Sequence, residues 1–357
     1  MPSKISPLDV EDVRLRVNDH LGAFLDAQVT ALEFISPDLD PLSHAAGDLL
    51  AGGKRLRPAF CYWGWRGAGG ANTDAAIHAA TALELLQACA LVHDDVMDGS
   101  DTRRGLPSAH RRFEALHSQH AWLGSSAAFG VGAAILLGDL CLSWADEMLL
   151  TSGLPSERLR AGKAVFDEMR SELMAGQYLD LLEQARGGGS VARALTVVQY
   201  KSAKYTVERP LELGGVLAGA DDALLAAYRA YGLRLGEAFQ LRDDVLGVFG
   251  DPDVTGKPAG DDLREGKRTV LVAKAFEAAS ATQADELDAH LGDTHLDSHG
   301  VATLRDIIID TGALASVELL ITELANEAEA ALAEVTLHEP AGTVLRDLIV
   351  VATARKG

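Results

Sequence analysis

Cysteine is scarce in this 357-residue chain: there are 3, and Cys61, Cys89 and Cys141 all sit in apolar segments without a Cys-x-x-Cys spacing. That pattern excludes a disulfide framework and reads as reduced core thiols of a cytoplasmic protein. Positive charge is also short, with 32 Lys+Arg against 52 Asp+Glu and a net charge of -20. Such a surface argues against a nucleic-acid or anionic-membrane partner. A polyanionic substrate would have to be met by cations gathered locally and by metal. No stretch alternates polar and apolar residues as a half-buried strand does. No fixed-period repeat, low-complexity tract or Ser-His or Cys-His constellation stands out. The opening Met-Pro-Ser-Lys turns acidic and carries no signal-peptide pattern. The most apolar stretch, Ala127–Leu142, is broken by glycines and by Asp139, so it reads as a buried helix and not a membrane span.

What is present is helix period, rich in alanine and leucine, with 48% hydrophobic residues, enough for a large core. Val10–Ile35 reads as an amphipathic helix, Pro41–Ala51 as a short one stopped by Gly52-Gly53, and Ala59–Trp65 as the start of another. After a loop at Gly67–Thr73, helices are expected over Thr73–Asp98, Ser108–His120, Ser125–Leu150 and Glu157–Gln184. The low charge of Ser125–Leu150 predicts a central position. Beyond the Gly187–Ser190 connector, Val191–Leu217, Ala223–Phe249 and Thr269–Ala279 complete the core. Asp251–Lys267 reads as a mobile loop, Thr282–Gly300 as polar surface, and Val301–Lys356 as two or three closing helices.

Four carboxylates crowd the stretch from His93 to Arg104: Asp94, Asp95, Asp98 and Asp101, with Arg103 and Arg104 directly after. On a helix Asp94 and Asp98 lie one turn apart on one face. Carboxylates at the mouth of an apolar surface suit Mg2+, which keeps waters and phosphate oxygens among its ligands. Arginines alongside would face the same phosphates. A second pair, Asp243 and Asp244, ends another helical pattern, so the two clusters read as two walls of one cavity holding metal between them. Gly52-Gly53-Lys54-Arg55-Leu56-Arg57-Pro58 places cations at a helix start, where free N–H groups favour anions. Lys201 and Lys204 share a helix face, and Lys257 and Lys267 bracket the predicted loop as a lid would need. His110, His117 and His120 have near-helical spacing and read as surface or structural residues, without the partners a zinc site requires. Taken singly, each of these features is equally a solvated charge cluster.

Taken together and in order, they resemble the polyprenyl synthetase family, the trans-isoprenyl diphosphate synthases. The resemblance runs from about Gly52 to Thr269 through GGKRLRP at 52–58, DDVMDGSDTRRG at 94–105, KSAKYT at 201–206, GEAFQLRDDVLGVFGD at 236–251 and GKPAGDDLREGKRT at 256–269. In detail it is similar to bacterial, especially actinobacterial, geranylgeranyl diphosphate synthases. The resemblance implies an all-α isoprenoid synthase fold, a helical bundle around a central cavity, as one domain over residues 1–357 that forms a homodimer. It implies a Mg2+-dependent condensation of isopentenyl diphosphate with the allylic dimethylallyl, geranyl and farnesyl diphosphates.

Residue by residue, Lys54, Arg57 and Gln87 match positions that hold isopentenyl diphosphate, with Arg104 beside them. Asp94 and Asp98 match ligands of two Mg2+ ions and Asp243 of a third, with Asp95 and Asp244 completing the metal set. Arg103 matches a contact to the allylic diphosphate, and Lys201, Ser202, Gln240, Lys257 and Lys267 the remaining diphosphate and cation-stabilising contacts. The chain departs from the family pattern at Gly247, where the second motif usually carries its last aspartate; Asp251 is the nearest later carboxylate. Family members with aromatic residues four or five positions before the first motif make products of C15 or shorter, and here those positions are Ala90 and Cys89. On a helix Ala90 lies about 6 Å below Asp94, with Leu86 and Leu83 at about 12 and 17 Å. This favours a deep pocket and a C20 product, against C15 or longer chains. A terpene cyclase would carry an Asn/Asp–Ser–Glu metal motif in place of the second aspartate cluster. A non-catalytic partner subunit would have lost its aspartates and arginines. Neither pattern is found here.

Overall fold

The structure is a computed structural model that describes residues 6–250 and 260–353. A 3-10 turn at Pro7–Asp12 leads into α1 (Val13–Ile35), and another at Pro37–Leu39 into α2 (Asp40–Leu50). Then come α3 (Leu56–Gly67), α4 (Asp74–Met97), a hairpin of β1 (Thr102–Arg103) and β2 (Leu106–Pro107), α5 (Ala109–Gln119), α6 (Ser126–Leu150) and α7 (Ser156–Arg186). The expected helix over Val191–Leu217 is continuous but changes pitch. It consists of α8 (Val191–Val197), a π-helix (Val198–Glu208) and α9 (Arg209–Ala218). After it come α10 (Asp222–Phe249), α11 (Asp261–Arg264), α12 (Val270–Ala278), α13 (Ala281–His290), α14 (Ser298–Asp310), α15 (Ala313–Ala333) and α16 (Ala341–Thr353).

Side-chain caps set several of the starts. Thr73, Ser125, Asp221 and Thr269 each accept the N–H three residues on, at the heads of α4, α6, α10 and α12. Ser280 and Gln283 close a reciprocal capping box on α13. α3 is not among them: its N-cap, Arg55, is left-handed and gives no side-chain cap. Its first N–H groups therefore keep the anion-favouring end of the helix open.

α3 packs on α9 and α4 on α6, while α10 lies between the π-helix and α15. Where α3 meets α9 the backbones touch: a Cβ at Gly214 would lie 1.8 Å from the Cys61 carbonyl oxygen. Only glycine fits there. Gly214→Ala is expected to destabilise the protein by about 3 kcal/mol through this overlap, read as a fall in the thermal midpoint; an unchanged midpoint would show that the two helices separate freely.

Several expectations need correction. α6 is not central. Its inner face, including Ala134, Leu137, Cys141 and Met148, packs on α4, but Phe129, Ile135, Leu136 and Leu150 are exposed. The helix is charge-poor because both faces are apolar, not because both are buried. By length and composition α4 and α6 could each cross a membrane; 72% of the α4 window is buried but only 28% of that of α6. Thr282–Gly300 is not simply polar surface, since Leu287, Leu291 and Leu296 enter a core cluster with α12 and α14. Of the stretch expected to be a mobile loop, the described part forms α11, and Lys267 is tied by ion pairs. Lys257 and Asp251 lie outside the described residues. His110 and His117 are buried, the first paired with Ser108 Oγ and the second with the Leu123 carbonyl.

Candidate active site

α4 and α10 both deliver their aspartates in the last turns, where the helix dipole disfavours negative charge. Carboxylates placed there need cations, and the surrounding elements supply them. Asp94 Oδ1 accepts from Gln177 Nε2 at 2.8 Å and from Lys201 Nζ at 3.2 Å, and Arg103 Nη2 lies 3.6 Å from Oδ2. Burial is the largest influence on Asp94 and opposes its ionisation, yet Lys201 and Arg103 together hold it below the ordinary carboxylate range. Asp95 is buried and accepts two hydrogen bonds from Arg103, from Nε at 2.9 Å and from Nη2. Asp98 is pushed up to about 6, first by burial and then by the Asp94 carboxylate. Its Oδ1 is buried and has no hydrogen-bond partner among the described residues.

The hairpin explains how Arg103 and Arg104 divide. Arg103 pairs with Leu106, leaving Arg104 and Gly105 as a two-residue turn with φ of 53° and 78°. Two positive φ values mark the tight hairpin turn whose twist suits the flanking strands. Arg103 is thereby turned to the aspartates, while Arg104 reaches back to the Leu49 and Ala51 carbonyls at 3.3 and 3.4 Å. There it meets the GGKRLRP turn. Arg55, a cation of that motif, is a buried anchor that donates to Asn18, Leu50 and Glu84. Lys54 is exposed. Arg57 donates to Thr206 Oγ1 at 2.9 Å and stacks 4.2 Å over the Tyr205 ring, whose hydroxyl donates to Gln87 Oε1 at 2.7 Å. Arg57, Gln87 and the KSAKYT segment therefore form one wall. Arg104 feels Arg55, Arg103 and Arg57, and burial with those charges lowers its basicity.

KSAKYT lies in the π-helix, a wide turn that often marks a functional site. Lys201 joins Asp94 to Asp180, donating to Asp180 Oδ2 at 2.6 Å. Despite its burial the two carboxylates hold it charged. Ser202 is half-buried beside it. Lys204 turns instead to Glu172 and Glu208, away from the aspartates. Gln177 and Asp180 escaped the sequence reading, although Gly176-Gln177 with Asp180 one turn on interrupts a helix face with polar groups. A Cβ at Gly176 would lie 2.4 Å from the Lys201 backbone nitrogen, so this glycine lets α7 seat the lysine.

In the second cluster Asp244 is buried, accepts from Gln240 Nε2 at 2.8 Å, and is pushed up to about 7 chiefly by burial, with Asp262 and Asp243 adding to the rise. Asp243 is half-buried next to it. Lys267 Nζ is held by Asp262 Oδ1 at 2.9 Å and by Glu265 Oε2 at 2.7 Å, and its charge adds to what favours the ionised forms of Asp94, Asp98 and Asp244. No group of three His, Cys, Asp or Glu among the described residues is assembled as a metal site. Two carboxylates a helical turn apart, one with a bare buried oxygen, still fit a hard cation that takes its other ligands from diphosphate and water. Below Asp94, Gln87, Ala90 and Leu91 are among the part-open positions of α4, while Leu83, Leu86 and Cys89 are closed in the core.

The Polyprenyl synthetase family model matches residues 40–308. A geranylfarnesyl diphosphate synthase of Aeropyrum pernix is 34% identical over 288 residues, covering 79% of this chain and 84% of that protein. The crystal structure of a geranylgeranyl pyrophosphate synthase from Corynebacterium glutamicum, complexed with isoprenyl diphosphate and magnesium, superposes with a TM-score of 0.91 at 42% identity. It covers 95% of this chain and 98% of its own. A polyprenyl synthase from Caulobacter crescentus, complexed with calcium and isoprenyl diphosphate, superposes with a TM-score of 0.75 at 30% identity, covering 100% of both chains.

Proposed function

The chain belongs to the polyprenyl synthetase family and is a chain-elongating trans-prenyltransferase, and we propose that it condenses isopentenyl diphosphate with allylic diphosphates to give geranylgeranyl diphosphate. The observation that carries this reading is the ion-pair network that binds Asp94 to Lys201 and Arg103, beside a cation pocket at Arg57 and Arg104. One polyanion belongs between the aspartates and a second in the pocket. The enzyme acts with a divalent cation. Asp94, Asp98 and Asp243 are assigned to three Mg2+ ions, with Asp95 and Asp244 holding Arg103 and Gln240 in place around them. When bound, the ions stabilise charge on the departing diphosphate. Arg103, Lys201, Ser202, Gln240, Lys257 and Lys267 orient that allylic diphosphate. Lys54, Arg57, Gln87 and Arg104 hold the isopentenyl diphosphate with its double bond toward the allylic carbon. The apolar walls exclude water from the carbocation as the new carbon–carbon bond forms. The proton then lost goes to the released diphosphate, so no side-chain nucleophile is needed. Residues 1–357 act as one domain.

The part-open line Gln87, Ala90 and Leu91 beneath Asp94 is the proposed path of the growing tail. Ala90→Phe is expected to shift the main product from C20 toward C15 while the enzyme stays active, measured by resolving labelled products by length. An active variant with an unchanged distribution would remove Ala90 from the pocket. Wild-type C25, as named for the Aeropyrum relative, would place the floor deeper.

The exposed outer face of α6, where Leu136 is 61% exposed and which runs on toward the 99% exposed Leu123, supports a homodimer with this face covered by a second copy. Leu136→Glu is expected to give monomers in sedimentation, because a buried unpaired charge costs several kcal/mol. A wild-type monomer, or a variant that stays dimeric, would refute that arrangement.

A further inference from the structure

Gly247 lies one helical turn after Asp243 on α10, and so faces the same way. Glycine inside a helix costs about 1 kcal/mol relative to alanine, and here it has an identifiable tenant. The carboxylate of Asp262, from α11, is pressed into the notch that Gly247 leaves. A Cβ at position 247 would lie 1.8 Å from Asp262 Oδ2 and 2.6 Å from its Cγ. The other oxygen, Oδ1, accepts from Lys267 Nζ at 2.9 Å, and the Lys267 backbone N–H donates to the Asp262 carbonyl at 3.0 Å. Glu265 Oε2 grips the same ammonium at 2.7 Å.

We propose that Asp262 supplies from α11 the third carboxylate that α10 lacks at position 247, and that Gly247 is glycine in order to seat it. Asp262 is a positioning residue. With Oδ2 lodged against the helix, its Oδ1 fixes the Lys267 ammonium beside α10 at 2.9 Å. The sequence reading took Gly247 for a missing ligand; the fold makes it the socket for a carboxylate fifteen residues away. The inference rests on the prenyltransferase reading of this site.

The test compares wild type with Gly247→Ala, Asp262→Ala and the relocation variant G247D/D262A. Binding of Mn2+ in the presence of inorganic pyrophosphate is followed by electron paramagnetic resonance of the free ion, beside steady-state kinetics and thermal midpoints. Asp262→Ala and Gly247→Ala are each expected to weaken Mn2+ binding about ten-fold or more, as loss of an outer-shell partner does. The Mg2+ concentration for half-maximal turnover should rise in parallel, with thermal midpoints near wild type. Returning the carboxylate on α10 in G247D/D262A is expected to bring binding back to within about three-fold of wild type, because the two changes compensate at one contact. Wild-type binding in Asp262→Ala, or a relocation variant as weak as Asp262→Ala, would overturn the proposal. Should Gly247→Ala fail to fold, the other two variants carry the test alone. A wild type that binds Mn2+ and pyrophosphate but transfers no prenyl group would refute the functional reading instead. An active wild type with indifferent variants would refute only this inference.

Discussion

Asp94→Ala is expected to lower turnover about a thousand-fold while leaving the helical content intact. Asp94 is the carboxylate on which the site converges: Gln177 and Lys201 donate to it, and Arg103 stands 3.6 Å off. It is kept ionised against the pull of burial by Lys201 and Arg103. Its neighbour Asp98 shows the other half of that arrangement. With its acidity weakened to about 6 and one buried oxygen bare, it is the group that a divalent ion relieves. On the proposed assignment, removing Asp94 loses a metal ligand and leaves Lys201 and Arg103 without a shared anion. Measured by single-turnover kinetics at saturating Mg2+, near-wild-type chemistry in Asp94→Ala would take the metal out of the first cluster.

Lys201→Ala is expected to lower turnover about a hundred-fold, the scale for losing one preorganised donor. The lysine is the bridge between Asp94 on α4 and Asp180 on α7, at 3.2 and 2.6 Å, and the π-helix sets its place. Its loss leaves two half-buried carboxylates to repel each other, and deprives the allylic diphosphate of a fixed charge. Because the proposed isopentenyl site uses Arg57 and Gln87, neither of which touches Lys201, the KM for isopentenyl diphosphate should stay within about two-fold as kcat falls. A fall in kcat matched by an equal rise in that KM would mean that Lys201 serves the wrong diphosphate.

The helices were legible because their apolar residues recur at helical spacing and glycines and prolines mark several of their ends. The first cluster was legible for the same reason, since Asp94 and Asp98 share a face in any helix. The wide π turn at Lys201 left no mark in a sequence whose apolar period runs unbroken from Val191 to Leu217. Gln177 and Asp180 were missed because a glutamine and an aspartate amid thirty-one helical residues look like solvent-facing polarity until α7 is packed. α6 was misplaced because charge content cannot distinguish a helix buried on both faces from one that keeps an apolar face outward. Asp262 was hidden by distance along the chain. A notch at Gly247 means something only once α11 lies against it.

The most direct test is one incubation of the purified protein with labelled isopentenyl diphosphate and farnesyl diphosphate, with and without Mg2+. The account predicts a single labelled C20 diphosphate that forms with the metal and disappears on chelation. Release of a cyclic hydrocarbon, or no transfer of label to any allylic diphosphate at saturating Mg2+, would contradict it.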